Sequence, residues 1–90
     1  YNADYEFGGK VIEEKNDKVL IEIRNKLSIG DTLELLIPGE IKPLVFNIDK
    51  LWDADTLEEI TTVNPGVKEQ KVILKIPAKV EEGWIIRRKK

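Results

Sequence analysis

Three residue types are missing from this 90-residue chain: cysteine, methionine and histidine. Without cysteine there is no disulfide, no thiolate nucleophile and no sulfur-ligated metal. Without histidine the usual neutral-pH proton carrier, which is also the commonest metal ligand, is absent. No apolar run approaches the roughly 18 residues of a membrane helix, and no signal peptide is visible. The expectation is a cytoplasmic protein with no membrane contact and no cofactor. The chain opens on Tyr1, and with no methionine anywhere it reads as a domain excised from a longer protein.

What is present is a well-mixed set of charges. Charged residues make up 36% and apolar residues 41%, and 15 basic against 17 acidic side chains leave a net charge of −2. Such mixing does not imply disorder through self-repulsion. The length suits one domain over residues 1–90, with one modest core. Abundant lysine, glutamate and isoleucine without cysteine or methionine fits a thermophile's composition. The last four residues, Arg87 to Lys90, are all basic, and setting them aside leaves 11 basic against 17 acidic. An acidic body is a poor general nucleic-acid binder, but the basic end could touch phosphate; a solvated, frayed terminus is the plainer expectation.

Period-2 alternation dominates. Tyr5, Phe7 and Val11 share one parity around Gly8-Gly9, whose place within a strand marks a bulge or a close backbone approach. Val19-Ile21-Ile23, Leu33-Leu35-Ile37, Leu44-Phe46-Ile48 and Val72-Leu74-Ile76 alternate likewise, and Trp84 and Ile86 close the series. These are six strand candidates. Several carry apolar residues on both parities, which suggests a barrel or a tight sandwich rather than an open sheet. Lys15-Asn16-Asp17-Lys18 and Pro38-Gly39-Glu40 read as turns, Asn64-Pro65-Gly66 starts a loop, and Pro77 ends the fifth strand. Asp53 to Val63 is the least strand-like segment, suited to one helical turn around Leu57-Glu58-Glu59 or to a short extra strand.

The motif Ser28-Ile29-Gly30-Asp31 reads as a corner between strands. Gly30 permits positive φ, Asp31 can hydrogen-bond local backbone, and Ile29 is expected to plug the barrel end. Catalytic chemistry has little to build on. Ser28 is the only serine, and a dyad with Lys26 would lie in a wet turn. Asp53 and Asp55 lack the third ligand and central glycine of a calcium loop, so an acidic turn is expected there in preference to a weak divalent-ion site. For recognition the candidates are the cluster Arg24, Asn25 and Lys26, the indoles Trp52 and Trp84, and the arginines Arg87 and Arg88. Either indole could stack on a base or a sugar, although a tryptophan in such a place more often covers a barrel mouth. Phe7 and Phe46 fall on core parities.

With "IRNKLSIGDTLELLIPG" and "IDKLWDADTLEEI" both in view, the chain resembles the small C-terminal module of the collagenase-like peptidases of family U-32. The module's aromatic opening is matched by Tyr5-Glu6-Phe7-Gly8-Gly9-Lys10-Val11. Its Arg-Asn-Lys-aromatic-x-x-Gly-Asp run is matched by Arg24 to Asp31, with Leu27 in the aromatic place, and its Trp-Asp strand end by Leu51-Trp52-Asp53. Asn64-Pro65 stands where many members have His-Pro, and Trp84-Ile85-Ile86-Arg87 replaces a more polar ending. The resemblance implies a small closed β-barrel of about six strands, similar to the second domain of translation elongation factors. It implies a noncatalytic lid or substrate-recognition domain behind a larger catalytic domain, in a family whose members are labelled proteases, some collagen-degrading, and whose relatives act in RNA hydroxylation. Its partners would be the upstream catalytic domain and an RNA or protein substrate. The alternative is a structural module docked on its own catalytic domain through Trp52, Trp84 and the acidic Asp53-Ala54-Asp55 turn, with no independent ligand.

Overall fold

The computed structural model describes residues 4–66 and 70–90; Tyr1 lies outside them. Among the described residues ten strands run β1 (Tyr5–Lys15), β2 (Lys18–Ile23), β3 (Leu27–Ser28), β4 (Thr32–Leu36), β5 (Leu44–Asn47), β6 (Leu51–Asp53), β7 (Glu59–Ile60), β8 (Thr62–Val63), β9 (Gln70–Lys75) and β10 (Ile85–Lys89). All pairings are antiparallel, and no helix occurs among the described residues. The fold is all-β, as the alternation requires. The segment after Asp53 forms short strands, and Leu57, with φ of 63°, does not sit in a helical turn.

Eight strands make one sheet in the order β5-β4-β10-β1-β2-β9-β6-β7, and β3 and β8 form a separate ribbon. The sheet must curl strongly. Laid flat, β5 and β6 would stand six strand spacings apart, about 29 Å. They are joined only by residues 48–50, four Cα steps that span at most about 14 Å. Curling places Val11, Ile21, Leu33, Leu35, Leu51, Leu74 and Ile86, all essentially inaccessible, inside one core. Each such side chain contributes on the order of 1.5–3 kcal/mol by leaving water.

The expected closed six-strand barrel is corrected: the sheet is open, a strongly curled half-barrel whose edge strands are β5 and β7. The reason lies at Thr61, where the chain leaves one sheet for the other. Glu59–Ile60 pair with β6 and Thr62–Val63 pair with β3, so among the described residues no continuous ladder closes the seam. The Ser28–Asp31 corner laces the gap instead. Ile29 N–H donates to the Thr61 carbonyl, Gly30 N–H to the Ile48 carbonyl, and Ile48 N–H to the Asp31 carbonyl. Gly30 has φ of +90°, the conformation expected of it. Ile29 points outward and is exposed, so it does not plug the barrel end.

Strand β1 carries two irregularities, between Phe7 and Gly9 and between Val11 and Glu13. The first overturns the core placement of Phe7. Gly8 is the extra residue, so Gly9 and Val11 face the core while Phe7 pairs with Arg87 on the outer surface, 43% exposed. Gly9 is where two backbones pass closely. A Cβ there would lie 2.5 Å from the Glu22 carbonyl oxygen, a clash no rotamer relieves.

Candidate functional site

The arginines expected to face a substrate are each held by carboxylates of the same fold. Arg24 donates to Glu22 at 2.6 Å, and Glu22 is only 5% exposed. Arg87 pairs with Glu34, equally buried and directly across from it in the β10–β4 register, and its guanidinium lies 5.6 Å from the Tyr5 ring centre. Arg88 reaches to the end of the curled sheet, donating to Asp31 at 3.0 Å and to Glu6 at 2.7 Å. These contacts, the Asp31 hydrogen bond foremost, raise the pKa of Arg88 further. The basic end is therefore not a frayed terminus: β10 sits between β4 and β1 as a central strand. A central strand loses its backbone to two ladders, which is why the solvated expectation fails.

Asp31 is the pivot of the corner. One carboxylate oxygen accepts both the Ser28 N–H, at 2.8 Å, and the Arg88 Nε–H. Ser28 Oγ is shared with Thr62 Oγ1 at 2.8 Å. Of the expected cluster, Asn25 donates to the Phe7 carbonyl at 2.6 Å and Arg24 N–H to the Gly8 carbonyl, so both are fastened to β1. Lys26 is exposed. The cluster thus lies beside β1, with Arg87 on that strand's other side.

The two indoles part company. Trp84 packs against the core and its carbonyl accepts the Val11 N–H, so it covers the interior. Trp52 stands on the convex face, opposite Ile73 and Glu59, with the Lys18 ammonium 4.7 Å above its ring centre. The acidic turn is conformational: Asp53 accepts from the N–H groups of Asp55 and Thr56. Those two donors, Thr56 foremost, lower the Asp53 pKa below its ordinary value. Among the described residues no three His, Cys, Asp or Glu side chains gather to hold a metal ion.

Sequence reasoning named Trp52 but not the neighbours that the sheet sets beside it, Leu20 and Ile73. Register places Glu13, Leu20, Ile73, Trp52 and Glu59 in one row across the convex face of β1, β2, β9, β6 and β7. On one side runs a row of Lys15, Lys18 and Lys75, and on the other Lys10, Glu22 and Lys71. A cleft of about 350 Å³ opens between the β1–β2 turn and the β6–β7 loop, with Leu20, Ile73, Ala54 and Leu57 among its lining. The signal was the apolar residues on the second parity, Leu20 and Ile73, which in a flat register argument count only as evidence of two-sided burial.

A family model described as the peptidase family U32 C-terminal domain matches residues 3–87. No curated protein matches the chain. Two solved chains share the fold. The crystal structure of the C-terminal domain of a protein assigned to the U32 peptidases in Geobacillus thermoleovorans is 25% identical, with a TM-score of 0.80 over 94% of this chain and 93% of that one. Its selenomethionine variant is 26% identical, with a TM-score of 0.78 over 91% of this chain and 98% of that one. A sheet that curls around one core, a corner built on Asp31, and a family model spanning nearly every residue lead to one conclusion: the chain belongs to the peptidase family U32 C-terminal domains.

Proposed function

We propose that this domain is a noncatalytic accessory module that packs on the peptidase region of its parent protein and helps shape access to substrate there. The observation that carries this reading is the commitment of Arg24, Arg87 and Arg88 to Glu22, Glu34, Glu6 and Asp31. Charges neutralised within the fold are poor phosphate contacts, because binding RNA would have to break pairs that partly buried carboxylates need. What the domain offers instead is apolar surface: Phe7, Val45, Ile41 and Leu57 are all exposed. Of these, Leu57 lies beside Leu20, Ala54 and Ile73, and a joined apolar surface favours protein–protein packing. Ser28, the one serine, has its hydroxyl engaged by Thr62, which supports a noncatalytic role.

The test compares the parent protein with a version lacking this domain, and with the domain alone, on labelled gelatin and on transfer RNA. The expected result is no turnover by the domain alone, and a raised KM or loss of activity when it is deleted. Turnover by the isolated domain that Ser28→Ala abolishes would overturn the noncatalytic reading. Salt-sensitive transfer-RNA binding by the isolated domain, weakened in Arg24→Ala or Arg88→Ala, would overturn the preference for protein packing.

A further inference from the structure

Leu57 breaks two local rules at once. Its φ of 63° belongs to the left-handed region, which costs a residue with a Cβ roughly 1–2 kcal/mol. Its side chain is nevertheless 66% exposed, so within this fold burial does little to offset that strain. The loop geometry demands the conformation: Leu57 N–H donates to the Asp53 carbonyl, and Asp53 N–H donates to the Glu58 carbonyl, closing the β6–β7 connection. Glycine or asparagine would fill this position more comfortably. A large apolar side chain standing where neither backbone nor core favours it points to a contact made outside the fold.

The surroundings say what kind of contact. Leu57 overhangs the cleft floored by Leu20, Ile73 and Ala54, so its side chain extends an apolar strip that already includes Trp52. The strip is flanked by the Lys15-Lys18-Lys75 row, in which Lys75 pairs with Asp17, and by Lys10 and Lys71 on either side of the Arg24-paired Glu22. We infer that this convex face of β2, β9 and β6 docks, through Leu57 as anchor, on an apolar surface edged with carboxylates on the parent's own peptidase region. The inference rests on the packing role proposed above and names the face that performs it.

Charge complementarity selects an acidic partner. Nucleic acid fits the same lysines less well. The cleft sets Leu20, Ala54, Leu57 and Ile73 beside Glu13, Lys15, Asn16 and Lys18, Glu13 and Glu59 close the two ends of the apolar row, and Lys18 already occupies a face of the Trp52 ring. A central apolar anchor within a charged rim is the arrangement in which a few residues carry most of the binding energy.

The experiment is amide hydrogen exchange on the full-length parent and on the isolated domain, the form in which the Geobacillus relative crystallised. Peptides spanning residues 13–20 and 52–58 should exchange at least about tenfold more slowly in the full-length protein. Leu57→Gly should return them to the isolated-domain rate while leaving the isolated domain's Tm unchanged or higher, because glycine relieves the strain. Lys18→Glu combined with Lys75→Glu should also remove the protection, and high salt should weaken it. Equal rates in both proteins, with protection instead around Phe7 and Val45, would overturn this face as the interface while leaving the packing role intact. No protection anywhere would overturn both. Transfer RNA that slows the same peptides in the isolated domain would reassign the face to nucleic acid and overturn the inference.

Discussion

Replacing Asp31 by alanine removes one oxygen that accepts two hydrogen bonds, from Ser28 N–H at 2.8 Å and Arg88 Nε–H at 3.0 Å. The backbone donor contributes about 1 kcal/mol, and the arginine bond about 1.5–3 kcal/mol in general. The Asp31 and Arg88 side chains are 21% and 25% exposed, so solvent screens the second bond and places it at the low end. Glu6 continues to satisfy part of Arg88, which limits the damage further. The expected loss for Asp31→Ala is therefore about 2–3 kcal/mol. In a domain of this size that lowers Tm by about 10–20 °C, read by circular dichroism on heating. Asp31→Asn, which keeps an acceptor for Ser28 but loses the charge, should cost about half as much. A double-mutant cycle with Arg88→Ala should return a coupling of about 1 kcal/mol. A loss below about 0.5 kcal/mol for Asp31→Ala, the range of an ordinary surface change, would refute the pivotal role given to this corner.

Gly9→Ala must displace the Glu22 backbone from a 2.5 Å contact, and an overpacking cost of about 2–3 kcal/mol is expected in urea unfolding. Arg87→Ala leaves the buried Glu34 uncompensated and should cost about 3–5 kcal/mol, whereas Arg87→Met with Glu34→Leu should be near neutral; equal losses for the two variants would contradict the pairing. For Asp53 the folded pKa is depressed, so its contribution is fully present above the unfolded value, about 3.9, and is lost as pH falls through the folded value. Asp53→Ala should accordingly flatten the acid limb of a stability–pH curve, and an unchanged limb would argue against the turn-capping role.

The strand content was legible because burial on one face imposes period 2. Val19-Ile21-Ile23 and Val72-Leu74-Ile76 are core residues in the structure as their alternation requires. The turns were legible because only a few residues tolerate the backbone conformations they need, as at Asn16 and Gly30, both at positive φ. Phe7 was misplaced because a bulge changes parity without a unique mark in composition: Gly8-Gly9 announced an irregularity but not which residue was extra. The partners of the arginines were hidden for a related reason. Arg87 and Arg88 look like a charged end until Glu34, Glu6 and Asp31 arrive from 53, 82 and 57 positions away.

Sequence alone thus determined what depends on near neighbours along the chain: an all-β domain, its main strands, its turn at Gly30, and a resemblance that the family model bears out. Tertiary structure decided what depends on register and closure. The three-residue link from β5 to β6 forces the curl, the break at Thr61 keeps the sheet open, and pairing across strands neutralises the arginines and sets Leu20, Ile73 and Trp52 side by side. A change of one residue in register exchanges the two faces of a strand, so which charges are paired and which apolar groups remain exposed is a property of the assembled sheet.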